Sequence, residues 1–127
     1  MAHLTLPLRL ETLNDYIDQC RRHPMIGAKQ KKEDEQAVTL FIRKQLRGVR
    51  FENPVTLRYT FYERDRRRDK DNVASYARKV IQDALARAGV INGDGWKGVA
   101  GTVERFEVDK KLPRIEVEII EAKEGKE

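Results

Sequence analysis

The chain has 127 residues, close to the commonest size of one domain and long enough for a single adequate core. It is 37% charged with a formal net charge of +5, a moderate excess that favours an anionic partner. The one cysteine, Cys20, excludes an intramolecular disulfide framework, and no apolar run approaches the ~20 residues needed to span a bilayer.

Leu4, Leu6, Leu8 and Leu10 alternate with Thr5, Pro7 and Arg9, the period of a half-buried strand, and Pro7 suits an edge or a strand end. This alternation also differs from the continuous apolar core of a signal peptide, so a cytosolic protein is expected. Asn14 is placed to cap a short helix carrying Tyr16, Ile17 and Cys20, ending near His23-Pro24. Cys20 and His23 have only His3 as a further soft ligand, too few for structural zinc. Met25 to Gly27 reads as a loop. From about Lys29 to Leu46, residues Ala37, Val38, Phe41, Ile42 and Leu46 recur at helical spacing, and Gly48 supplies a stop. The first turns of that helix are charged, so Lys29, Lys31 and Lys32 form either a phosphate-facing arm or a solvated end.

Val55, Leu57, Tyr59 and Phe61 alternate with Thr56, Arg58, Thr60 and Tyr62, the clearest strand in the chain. It leads directly into Arg66-Arg67-Arg68-Asp69-Lys70-Asp71-Asn72. Val73, Tyr76, Ala77, Val80, Ile81, Ala84, Leu85 and Ala88 then trace one helical stripe stopped by Gly89. Asp71, Ser75, Arg78 and Lys79 project away from it. Asn92-Gly93-Asp94-Gly95 signals a turn into strands around Val99 to Val108 and Ile115 to Ile120, expected to form an antiparallel hairpin about Asp109 to Pro113. The expected fold is α+β, a small mixed sheet of about four strands with two or three helices, in one domain over residues 1–120. The tail 121–127 is charged enough to be disordered.

The chemistry concentrates at Arg66 to Asn72. Carboxylates are hard oxygen ligands suited to Mg²⁺, which shares its coordination sphere with substrate phosphate, while arginines grip phosphates through forked hydrogen bonds. Arg66, Arg67, Arg68 and Lys70 are thus candidate phosphate binders, and Asp69 and Asp71 candidate metal ligands. The plainer alternative makes either aspartate a helix cap gaining from the positive helix end. Asp94 sits beyond the other end of the same helix, roughly 25 Å away at 1.5 Å per residue, so joining Asp69 and Asp71 takes a helix break or a second subunit. Trp96 is expected to cover core, with base stacking the alternative.

At these residues the chain resembles the RusA family of crossover-junction endodeoxyribonucleases, small phage-borne enzymes that cut four-way DNA junctions. The likeness rests on Arg66 to Asn72, on Asp83-Ala84-Leu85, on Ala88-Gly89 and on Asp94, and it is strong over about Glu63 to Trp96. It implies that Asp69, Asp71 and Asp94 form a metal-binding catalytic triad for Mg²⁺, with Mn²⁺ as a substitute. It further implies a homodimer acting on four-way junctions in the bacterial cytoplasm. The family's catalytic lysine falls on Lys79 when counted back from Asp83, and on Ser75 when counted forward from Asp71. Lys79 carries the amine and is preferred over Arg78.

Overall fold

The computed structural model describes residues 1–7, 20–93 and 95–121, so Leu8 and Leu10, the expected Asn14 helix up to residue 19, Asp94, and all of the tail after Glu121 lie outside the described residues, while residues 20–22, at the end of that expected helix, are helical. The elements are β1 (Ala2–Leu6), α1 (Pro24–Gln45), β2 (Val55–Glu63), α2 (Lys70–Arg87), β3 (Val99–Val108) and β4 (Arg114–Glu121). The class is α+β, as expected, with one mixed sheet in the order β1-β4-β2-β3.

Alternation decides which face of the sheet is covered. Leu57, Tyr59 and Phe61 of β2 pair in register with Ile119, Val117 and Ile115 of β4, and all six are buried on one face. Leu4 and Leu6 of β1 join them. Against this face pack Val38 and Ile42 of α1, Leu46 just beyond its end, and the stripe of α2 from Val73 to Leu85, forming one core. The opposite face stays polar, with Arg58 and His3 both paired to Glu118 at 3.1 and 3.3 Å.

The expected β3–β4 hairpin is not formed. β3 pairs in parallel with β2, and β4 pairs antiparallel with β1 and β2, so β2 lies between the last two strands. Central placement gives β2, whose Val55, Leu57, Tyr59 and Phe61 have no exposed surface, a neighbour on each edge. The connection is long enough to skip a strand, because five residues reach about 17 Å and two strand spacings need about 10 Å. It is anchored over the carboxyl end of β2 by the Asp109 amide, which donates to the Glu63 carbonyl at 2.8 Å.

Asp109 also organises that connection: its carboxylate accepts from the amides of Lys111 and Leu112 and from Arg114, whose guanidinium lies 3.7 Å from the Tyr62 ring centroid. The Arg114 hydrogen bond, then the Leu112 amide, hold the carboxyl below its usual range of 3.8. A depressed folded-state pKa contributes stability that is complete above the unfolded value and disappears as pH falls through the folded one. Asp109→Asn is therefore expected to lower the melting temperature at neutral pH, with the difference from wild type vanishing below about pH 3.8 in a thermal melt series.

Met25 to Gly27, expected as a loop, instead opens α1, because Pro24 stands at the helix start, where its missing N–H costs nothing. Both helices stop as expected, at Gly48 (φ 77°) and Gly89 (φ 80°), in the left-handed conformation that glycine tolerates. α2 runs unbroken for 18 residues. It is the crossover of a parallel β2-α2-β3 unit, so its amino end sits at the carboxyl ends of both strands, the pole where open parallel sheets place ligands.

Candidate phosphate and metal cleft

The inward alternation of β2 continues past Phe61 to Glu63, which is only 8% exposed. A buried carboxylate needs a partner, and Arg68 supplies one as a fork, with Nε and NH2 3.0 and 3.3 Å from the two carboxylate oxygens. That fork closes the loop between β2 and α2 on itself. Within it the Arg67 amide donates to Asp65 at 3.0 Å. The loop ends where Asp69 caps α2, its carboxylate accepting the Asn72 amide at 3.1 Å.

Lys70 then stands 5.6 Å from the centroid of the Phe106 ring, and Phe106 stacks on Phe61 at 5.0 Å. Aromatic support from two strands thus fixes the first basic side chain of α2. The result is a cleft of about 680 Å³ whose lining includes Glu63, Asp65, Arg66, Arg67, Asp69 and Phe106. Arg66 and Arg67 face solvent, the Arg67 side chain with 90% of its surface accessible while its Nε lies 3.9 Å from Asp65. Those two and Lys70 present cationic groups to an incoming anion, whereas Arg68 is engaged in holding the loop.

Asp69 and Asp71 are both exposed, at the N-cap and in the first turn. The two readings of Asp69 coincide in one residue: one oxygen caps the helix, a role worth about 0.5–2 kcal/mol, and a carboxylate has a second oxygen to offer. Mg²⁺ is typically bound through one or two carboxylates plus substrate phosphate, so this pair fits such an ion. Among the described residues, no group of three His, Cys, Asp or Glu is placed to hold a cation.

The remaining candidates are dispersed. Lys79 is exposed on α2, about 12 Å along the axis from Asp71. Arg78, the rival for its role, pairs with Glu104 at 3.3 Å beneath the helix. Close by, Gln82 donates to the Tyr59 hydroxyl at 3.1 Å, and burial pushes that phenol above its usual range. Lys31 is drawn from the expected arm into the helix interface, 3.5 Å from Glu35 and 3.3 Å from Asp83, where Tyr76 also donates to Asp34 at 2.6 Å. Lys29 and Lys32 are exposed on α1. Asp94 lies outside the described residues; its neighbour Gly95 accepts the amides of Gly98 and Val99 at 3.0 and 2.9 Å, at the amino end of β3.

Sequence reasoning missed Glu63, Asp65 and Phe106. Glu63 was detectable as the next inward position of the β2 alternation, and Phe106 as an aromatic within β3; their convergence on one cleft depends on the parallel pairing. Trp96, expected to cover core, is instead 97% exposed. No protein-family model and no curated protein matches the chain. No described helix is long and apolar enough to cross a membrane.

Proposed function

We propose that this chain is a Mg²⁺-dependent endodeoxyribonuclease of the RusA type that resolves four-way DNA junctions as a homodimer in the bacterial cytoplasm. The observation that carries the reading is the emergence of Asp69 and Asp71 at a strand-to-helix junction whose loop also presents Arg66 and Arg67. When bound, Mg²⁺ (or Mn²⁺ in its place) would lower the pKa of a water and neutralise charge on the phosphoryl oxygens. The chain's own part is to supply ionised carboxylates at Asp69 and Asp71 and to seat the backbone phosphate against Arg66, Arg67 and Lys70. Those contacts are sequence-independent, and each adds about 0.9 to the slope of log affinity against log salt.

The proposed triad favours a second copy. Asp69 and Asp71 stand at one pole of α2, and the described neighbours of Asp94 stand at the other, across a continuous helix of about 27 Å. A site using all three carboxylates draws Asp94 from the partner, and a two-fold dimer then carries two such sites, suited to paired cuts. Lys79 would act on phosphate charge along the same helix.

The capping role of Asp69 favours a second reading, a basic module that binds nucleic acid without cutting it. Both are tested by incubating a labelled four-way junction, a flap and a matched linear duplex with the protein in Mg²⁺ or EDTA. Paired, symmetric, metal-dependent cuts confined to the junction are expected. Equal cutting of flaps would broaden the substrate to branched DNA, and tight binding without cuts would leave the module.

A further inference from the structure

The chain contains one tryptophan, and none of the described residues covers it. Trp96 is 97% exposed, although an indole is among the largest apolar surfaces a residue can bury. Its setting is built. The Gly95 carbonyl accepts the amides of Gly98 and Val99, and the Gly98 carbonyl accepts the amide of Val55, so the turn is tied to the amino ends of both parallel strands. A Cβ on Gly98 would run into the Gly93 carbonyl, so this close approach requires glycine. The indole borders a shallow cavity of about 640 Å³ lined otherwise by Pro54, Gly95, Val99 and Ala100, without a charged group. Lys97 beside it is exposed.

We propose that Trp96 is a stacking platform for an unpaired nucleobase, with Lys97 contacting the adjoining phosphate. The inference rests on the nucleic-acid reading above and names a ligand feature, a single-stranded segment, at the end of the protomer away from Asp69 and Asp71 and two residues from Asp94. A flat aromatic held by a tied turn accepts any base face, because every base has one. A protein partner would call for a large contiguous apolar patch, and none of the other large exposed hydrophobics among the described residues, Met1, Met25, Ile26, Leu40, Val103, Val108 and Leu112, lines the cavity at Trp96.

The lone tryptophan makes the test direct. In EDTA, a short oligothymidylate and a duplex of equal length are titrated against the intrinsic fluorescence of the full chain. The oligothymidylate is expected to quench the emission and the duplex to leave it nearly unchanged. Trp96→Phe is expected to hold the oligothymidylate with similar affinity, measured by anisotropy of labelled DNA, and Trp96→Ala to weaken it about five- to 100-fold. Both variants should melt like wild type, since the side chain buries almost nothing. Binding of duplex and single strand with no quenching, or unchanged affinity in Trp96→Ala, would overturn the proposal while leaving the nuclease reading intact. A blue shift that follows protein concentration without DNA would also overturn it, assigning Trp96 to contact between copies. Failure to bind any DNA would bring down the parent reading as well.

Discussion

Asp71→Asn is expected to reduce junction cleavage by about a thousandfold, roughly 4 kcal/mol of transition-state stabilisation, which is the scale of a lost metal ligand. Binding should persist and rise slightly, because one negative charge leaves a basic surface. The prediction is clean because Asp71 is exposed in the first turn, while the cap that holds the helix start is Asp69. Asparagine caps about as well as aspartate, so Asp69→Asn should also keep the fold and lose activity. The readouts are single-turnover cleavage in Mg²⁺, a binding isotherm in EDTA and a thermal melt. Full activity in Asp71→Asn would remove the carboxylate pair from the chemistry and leave the aspartates as helix-end residues.

Phe61→Ala is expected to destabilise the protein by about 3–5 kcal/mol, the range for truncating a fully buried aromatic. Phe61 has no exposed surface and lies between Tyr59, 5.8 Å away, and Phe106, 5.0 Å away. The cavity would open directly under the cleft. Phe106 would lose the ring it stacks on, which loosens the ring on which the Lys70 ammonium group rests. Urea titration would show a lowered midpoint, and junction affinity measured well below that midpoint would fall as well. A loss below about 1 kcal/mol would mean that β2 and α2 close over the gap, contrary to close-packed behaviour.

The elements themselves were legible because each obeys one period. β2 alternates without exception and α2 keeps one stripe, so both were found nearly to the residue, and Gly48 and Gly89 mark where the helices stop. Sheet order was not legible, because Val99 to Val108 and Ile115 to Ile120 carry the same alternation whether they pair with each other or flank β2. The preference for a central β2 is a property of the whole core. Lys31 illustrates a second limit: a lysine in a charged first turn reads as solvated until Asp83, 52 residues away, is known to lie 3.3 Å from it. At the site, the loop composition pointed to phosphate chemistry, but composition could not separate Arg68, tied to Glu63, from Arg66 and Arg67. For Trp96, residue type suggested burial, and the turn that expels it depends on amides donated by Gly98, Val99 and Val55.

The fork between Arg68 and Glu63 bears on timing as well as on shape. A loop shaped by an internal ion pair and a helix cap is ordered before any ligand arrives, so the entropy of ordering is met during folding and is not charged against association. Encounter with a polyanion is then governed by diffusion and long-range attraction to Arg66, Arg67 and Lys70, steps that are fast and sensitive to ionic strength. The residence time of the complex, by contrast, is set by contacts made after docking. Salt should act on arrival, and the fit of a branched strand on departure.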